Sequence, residues 1–239
     1  MKLGIIGAME IEVNTLISAM SQGNSTFRKK ASLKFYEGLL FGVPSVIVRS
    51  GIGKVNAALC AQCLINEFGV THIINTGIAG SMATGLAVFD IVLSSDAVYH
   101  DVDVTAFGYK VGVIPQMDAS VFLADKMLIE LAQKAFTKTN LSNEHKILVG
   151  RIASGDQFIS NGVQKKRIAE LFNPACVEME GAAIAHACYL SDIPFVIIRT
   201  MSDMADDGEE SAYKFNDKDA AEKSALLVSE MCKLLSTKA

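Results

Sequence analysis

Val177-Glu178-Met179-Glu180 ends an apolar run with two carboxylates two positions apart. If that run is a strand, both side chains fall on one face. Two like charges buried side by side are costly unless hydroxyls or cations satisfy them, so the pair asks for a polar ligand. A vicinal diol such as that of a ribose would suit, because an ionised carboxylate can accept hydrogen bonds from both hydroxyls. The same acids could instead open an exposed helix and favour its dipole, and spacing leaves both readings open. Asp203 closes Thr200-Met201-Ser202-Asp203 just past another apolar run, where an acid can cap a helix or meet a ligand. A purine is a poor leaving group until a ring nitrogen is protonated, and a carboxylic acid in a dry pocket is suited to that donation. Phe158, after Gly155-Asp156-Gln157, could stack on a base or fill a satellite core. Glu12 falls in the first turn of a helix, where acids are favoured whether or not they do chemistry.

The elements that must hold these residues alternate between strand-length apolar runs and helical periods, the pattern of βαβ units and an α/β fold with a mostly parallel sheet. Strands are predicted at residues 2–6, 71–75, 90–99, 147–154, 175–179 and 195–200, with a hairpin of 33–41 and 45–50 turning through Gly42-Val43-Pro44. Helices are predicted from about residue 10, then at 54–68, 119–137, 163–172, 180–190 and 217–235, while 100–116 has no period and reads as a long loop. Ligands of open parallel sheets bind beyond the carboxyl ends of the strands. Gly7-Ala8-Met9, Ser50-Gly51, 76–80, 154–158, 178–180 and Ser202-Asp203 all follow strands and can converge on one pocket.

Composition narrows the classes. The 239 residues, half of them hydrophobic, carry 26 acids and 22 bases, so no excess of positive charge exists to hold a nucleic acid. One domain spanning 1–239 is the expected organisation. A mean hydropathy of +0.31 suggests a sheet covered on both faces and an apolar surface buried between subunits. No apolar run reaches the roughly 20 residues of a membrane helix, and no signal peptide opens the chain, so a cytoplasmic protein is expected. Five scattered cysteines, an odd number, fit reduced buried thiols. Cys60 and Cys63 read as neighbours on a helix face, and the four histidines lack metal-ligand spacing. The start of the chain lacks the G-x-G-x-x-G of a dinucleotide site, and Gly51-Ile52-Gly53-Lys54 is too short for a phosphate-cradling loop.

Taken in order, several segments resemble the nucleoside phosphorylase/nucleosidase superfamily, and within it the bacterial nucleosidases. They are Gly4-Ile5-Ile6-Gly7-Ala8-Met9-Glu10 with Glu12, Ser50-Gly51-Ile52-Gly53-Lys54-Val55, Ile74-Asn75-Thr76-Gly77 with Ala79-Gly80, Tyr99-His100-Asp101, 103–109, Ser154-Gly155-Asp156 with Phe158-Ile159, 177–180 and Ser202-Asp203. The resemblance runs nearly the whole chain. It implies a nucleoside phosphorylase-like α/β domain whose central mixed sheet is flanked by helices, no cofactor, and hydrolysis of the N-glycosidic bond of 5′-methylthioadenosine and S-adenosylhomocysteine, with 5′-deoxyadenosine as a further substrate. By the same resemblance Glu12 is the general base for water and Asp203 the acid that protonates adenine N7. Glu180, with the Met179 backbone, holds the ribose hydroxyls. Phe158 stacks on adenine while Ile159 and Ser202 frame its edge. Arg199 and Glu178 support the water and sugar, and Ala79 and Gly80 line the ribose.

The family is usually a homodimer, which implies that Val104, Phe107 and Pro115 close the partner's alkylthio pocket beside Met9, Ile52 and Tyr213. Ile78 departs from the family pattern, where a serine is common. The competing expectations are a purine nucleoside phosphorylase, which would use phosphate in place of water, and a noncatalytic nucleoside-binding protein of the same fold.

Overall fold

The computed structural model describes the backbone of residues 1–21, 26–205 and 210–237, and the side chains of these except residues 21 and 210–215. In chain order the elements are β1 (Leu3–Gly7), α1 (Glu10–Ser21), β2 (Thr26–Lys30), β3 (Leu33–Leu40), β4 (Val43–Arg49), α2 (Lys54–Phe68), β5 (His72–Ser81), β6 (Ile91–Tyr99), a 3₁₀ turn (Thr105–Phe107), β7 (Phe122–Leu123), α3 (Lys126–Lys138), α4 (Leu141–Glu144), β8 (Ile147–Ser154), α5 (Gly162–Phe172), β9 (Cys176–Glu178), α6 (Gly181–Leu190), β10 (Phe195–Asp203) and α7 (Glu210–Ser236).

One mixed sheet organises them. β5, β10, β6, β8 and β9 close on themselves, because β5 pairs with both β10 and β9. β1, β4, β3 and β2 extend from β5 as an arm. β1 runs parallel to both β4 and β5 and is buried throughout, as a strand with both faces covered must be. One apolar core joins α2 and α6 to the sheet through Ile6, Leu64, Ala182, Ile184 and Ile197. Another lies under α1, α3 and α7 and includes Ile5, Leu16, Leu131, Val196 and Met231. The small residues Gly181, Ala182, Ala183 and Ala185 of α6 let it lie buried against the sheet and α2. Among the described residues no helix is long and apolar enough to cross a membrane.

Several boundaries differ from the sequence expectation for local physical reasons. The hairpin turn is Phe41-Gly42, both in the left-handed region at φ 49° and 86°, which gives a two-residue turn matched to strand twist. Pro44 therefore belongs to β4, opposite Leu39 and just before the register with β1 begins at Ser45. The helix expected at 119–137 starts at Lys126, because Asp125 caps it by accepting the Leu128 N–H at 2.9 Å; Phe122–Leu123 pairs with β6 instead. β2 carries no apolar alternation to betray it. It is a wholly exposed edge, Thr-Phe-Arg-Lys-Lys, whose charge discourages further strand pairing.

The difference that matters for the site is β5, which continues past Asn75 to Ser81 because β10 pairs with it from Phe195 to Asp203. Residues 76–80 are therefore strand and not a glycine loop, and they run alongside the cavity described next.

Candidate active site

β1, β4, β8 and β9 end around a cavity that β5 and β10 flank. The empty space within it, open mouth included, is about 560 Å³. Met9, Glu12, Ile52, Ala79, Gly80, Phe158, Ile159, Glu178, Met179, Glu180, Ser202 and Asp203 all line it. So do Ala8, Ile78, Gln157 and Val177.

Glu12 projects from the first turn of α1 and is buried. The Ala8 and Met9 N–H groups donate to its Oε2 at 2.7 and 2.8 Å, and the Ile78 N–H of β5 donates to Oε1 at 3.1 Å. Burial raises its pKa above the ordinary carboxylate value, against the opposing pull of the Arg199 charge and these three N–H groups. Gly77 permits this approach: a Cβ there would stand 2.4 Å from Glu12 Oε1.

The two acids of Glu178-Met179-Glu180 do not share a strand face, since β9 stops at Glu178 and Glu180 already occupies the N-cap position of α6. They have different surroundings. Glu178 Oε2 accepts from the Gly181 N–H at 2.7 Å, the Glu180 N–H at 3.1 Å and Arg199 at 2.5 Å, and Oε1 accepts from the Ser154 hydroxyl. It thus caps a buried helix from within. Glu180 Oε1 accepts from the Gly53 N–H at 2.8 Å. Burial first, and then the neighbouring Glu178 charge, push Glu180 up to about 8, with Arg199 and the Gly53 N–H opposing.

Arg199 is not part of the lining. Its side chain, 2% exposed, lies behind Glu178 and also donates to Asn75 Oδ1 at 2.6 Å. Its pKa is raised because Glu178, and then Glu12 and Glu180, outweigh the effect of burial. Asn75 in turn donates to the Ile6 carbonyl at 3.0 Å. Ser154 and Asn75, buried polar residues at the end of and within apolar strands, are orienting groups to which the sequence segments containing them gave no role; a polar side chain in an apolar strand was the available signal.

Asp203 ends β10. Its Oδ2 accepts from the Ser202 hydroxyl at 2.8 Å and its Oδ1 from the Ala205 N–H at 2.8 Å. Gly80 opposite it leaves room, since a Cβ there would lie 2.9 Å from Asp203 Oδ1. Phe158 is 54% exposed on the cavity wall, and Ile159 is buried beside it. Val104, Phe107 and Pro115 lie on the loop after β6 and do not line this chain's cavity; Phe107 is 83% exposed. Tyr213 falls in the opening turns of α7, where side chains lie outside the described residues. No group of three or more His, Cys, Asp or Glu placed to hold a metal occurs among the described residues.

The cavity therefore joins a dry carboxylate on one strand-helix turn, a second carboxylate at the N-terminus of a helix, a third beside a hydroxyl, and an aromatic wall. That set can orient a polyol, accept a proton from water, and return one to a leaving group.

The sequence matches the phosphorylase superfamily over residues 2–233. It is 47% identical over 206 residues to the 5′-methylthioadenosine/S-adenosylhomocysteine nucleosidase of Shewanella pealeana, covering 86% of this chain and 87% of that protein. The structure superposes on the 5′-methylthioadenosine/S-adenosylhomocysteine nucleosidase of Colwellia psychrerythraea in complex with adenine, with a TM-score of 0.91 and 41% identity, covering 97% and 94% of the two chains. It superposes equally, TM-score 0.91 at 40% identity over 98% and 99%, on the Neisseria meningitidis nucleosidase in complex with methylthio-immucillin-A.

Proposed function

This chain belongs to the phosphorylase superfamily, and on that premise we propose that its cavity hydrolyses adenine nucleosides with Glu12 and Asp203 as the catalytic pair. The enzyme cleaves the N-glycosidic bond of 5′-methylthioadenosine and S-adenosylhomocysteine, giving adenine and the 5-thioribose product for salvage. Departure of adenine leaves positive charge on the sugar and negative charge on the base, as in other oxocarbenium-like cleavages. Glu180 accepts from the ribose hydroxyls, and Glu178 behind it sets negative charge near the developing cation. Asp203 delivers a proton to N7 of adenine while Phe158 stacks on the base and Ile159 and Ser202 meet its edge. Glu12, held by backbone N–H groups, takes the proton from water as it attacks the anomeric carbon. Ala79 and Gly80 border the ribose, and Met9 and Ile52 the 5′ substituent.

The observation that carries water over phosphate is the charge of the lining. Glu12, Glu178, Glu180 and Asp203 face the cavity, and its described lining includes no lysine or arginine. Arg199 lies behind and is engaged by Glu178 and Asn75. A phosphate nucleophile would meet carboxylates without a guanidinium to receive it. Supplying 5′-methylthioadenosine in phosphate-free buffer tests this: adenine and free methylthioribose are expected. Release that begins only when phosphate is added, with a ribose 1-phosphate product, would reject the hydrolase.

A homodimer and a cytoplasmic location belong to the same reading. Exposed Phe107, Val55 and Leu59 support the first, since apolar side chains of that size at the surface favour burial by a second subunit. In that arrangement Val104, Phe107 and Pro115 close the partner's 5′ pocket.

A further inference from the structure

Three sequence segments have no part in the chemistry above: Gly53-Lys54 after β4, Tyr99-His100-Asp101 at the end of β6, and Gly155-Asp156 after β8. The structure ties them to each other. Lys54 Nζ lies 2.6 Å from Asp101 Oδ2 and 3.8 Å from Asp156 Oδ2. The Lys54 N–H donates to Asp156 Oδ1 at 2.8 Å, and the Asp156 N–H donates to Asp101 Oδ2 at 2.9 Å. Lys54 also lies over the Tyr99 ring, 5.3 Å from its centroid. The Lys54 and Asp101 side chains are only 24% and 13% exposed, so solvent and salt screen this pair less than a surface one. Sheltered ion pairs add little net stability, because desolvation offsets their attraction. What such a pair does well is fix geometry.

The geometry it fixes sits one residue away on either side. Gly53, which precedes Lys54, donates its N–H to Glu180. Gly53 has φ +97°, and a Cβ there would stand 3.1 Å from Asp156 Oδ1, so both its backbone conformation and its packing on Asp156 call for glycine. On the other side, Asp156 leads directly into Gln157, Phe158 and Ile159, three lining residues of the cavity. Lys54, Asp101 and Asp156 themselves are not among that lining. We propose that Lys54, braced by Asp101 and Asp156, is a positioning residue that holds the Gly53 N–H against Glu180 and locks that contact to the loop carrying Phe158. The inference rests on the nucleosidase reading, because it takes Glu180 as the ribose clamp. A lost brace lets the β4–α2 turn withdraw its N–H, and Glu180, left without that donor, turns away from the position the ribose needs.

The test is a double-mutant cycle on 5′-methylthioadenosine with Lys54→Met, Glu180→Ala and the double variant, each checked for folding by circular dichroism. Lys54→Met is expected to lower kcat/KM by about 10²-fold, the scale of a misplacement near 1 Å, with a raised KM contributing. In the Glu180→Ala background the same change is expected to cost less than threefold, since no clamp is left to place. A loss under threefold in the otherwise wild-type enzyme, or an equal loss in both backgrounds, overturns the proposal; a merely structural role would give the equal loss. Should Lys54→Met not fold, Asp156→Ala, which leaves the Lys54–Asp101 pair in place, is put through the same cycle, and either of those two results overturns the proposal there as well. Wild-type protein that releases no adenine would sink the nucleosidase reading itself, whereas an active wild type with an indifferent Lys54 sinks only this inference.

Discussion

Gly77→Ala places one methyl group between the proposed base and the guanidinium behind it. Gly77 has no left-handed backbone to lose, so the change is steric alone. The added Cβ would lie 2.4 Å from Glu12 Oε1, 2.9 Å from its Cδ and 3.3 Å from an Arg199 terminal nitrogen. Ordinary contact begins near 3.4 Å, so the carboxylate must retreat by about 1 Å. It has little freedom to do so, because Oε2 is pinned by the Ala8 and Met9 N–H groups and Oε1 by Ile78. Overpacking of this kind costs about 1–3 kcal/mol of stability, and moving a catalytic group by about 1 Å costs about 10² in rate. The expected result is a folded protein with a lowered Tm and a kcat for adenine release about 100-fold below wild type. KM should change little, because Glu12 acts on the attacking water and not on the bound nucleoside. Steady-state kinetics beside a thermal melt separate the two effects. A folded variant with kcat within threefold of wild type would refute the placement of Glu12 at the nucleophile.

Two further outcomes follow from the site. Asp203→Asn is expected to lower kcat by about 10²–10⁴ while nucleoside binding, measured by calorimetry, persists; unchanged turnover would remove Asp203 as the proton donor. Glu180, pushed up to about 8 in the fold from 4.5, binds more protons folded than unfolded between those values, so stability from this group is fully present below about 4.5 and is lost as pH rises through about 8. Glu12, also raised, acts in the same direction. The Tm of wild type relative to Glu180→Gln should therefore fall as pH is raised from 5 to 9, and parallel Tm curves would show that Glu180 is not perturbed in the free enzyme.

How far the chain could be read depended on how local each cause was. β1, α2 and β6 were legible because their apolar runs match a buried strand or one helix face. β2 was not, because an exposed basic edge has no apolar period. The true extent of β5 was hidden by Gly77 and Gly80, which read as loop formers; their lack of side chains instead admits Glu12 and Asp203. From spacing alone Glu178 and Glu180 were legible as a pair, and only the family resemblance gave them separate roles. Which of the two faces a helix terminus and a buried arginine depends on where β9 stops and on Arg199, which follows 21 residues later.

Glu12 shows the same division between residue type and placement. Among the described residues its hydrogen-bond donors are all backbone N–H groups, so no neighbouring side chain had to be polar for it to be held, and none could advertise it in the sequence. This also gives Ile78 a physical account. The residue keeps its N–H on Glu12 whatever side chain it bears, and its own side chain packs with Ala220 and Ala221 of α7 and with Met9 and Ile11. The isoleucine side chain adds apolar surface to the lining of the cavity. Desolvation is the largest influence on the Glu12 pKa, and a base with a raised pKa accepts a proton from water more readily once it is ionised.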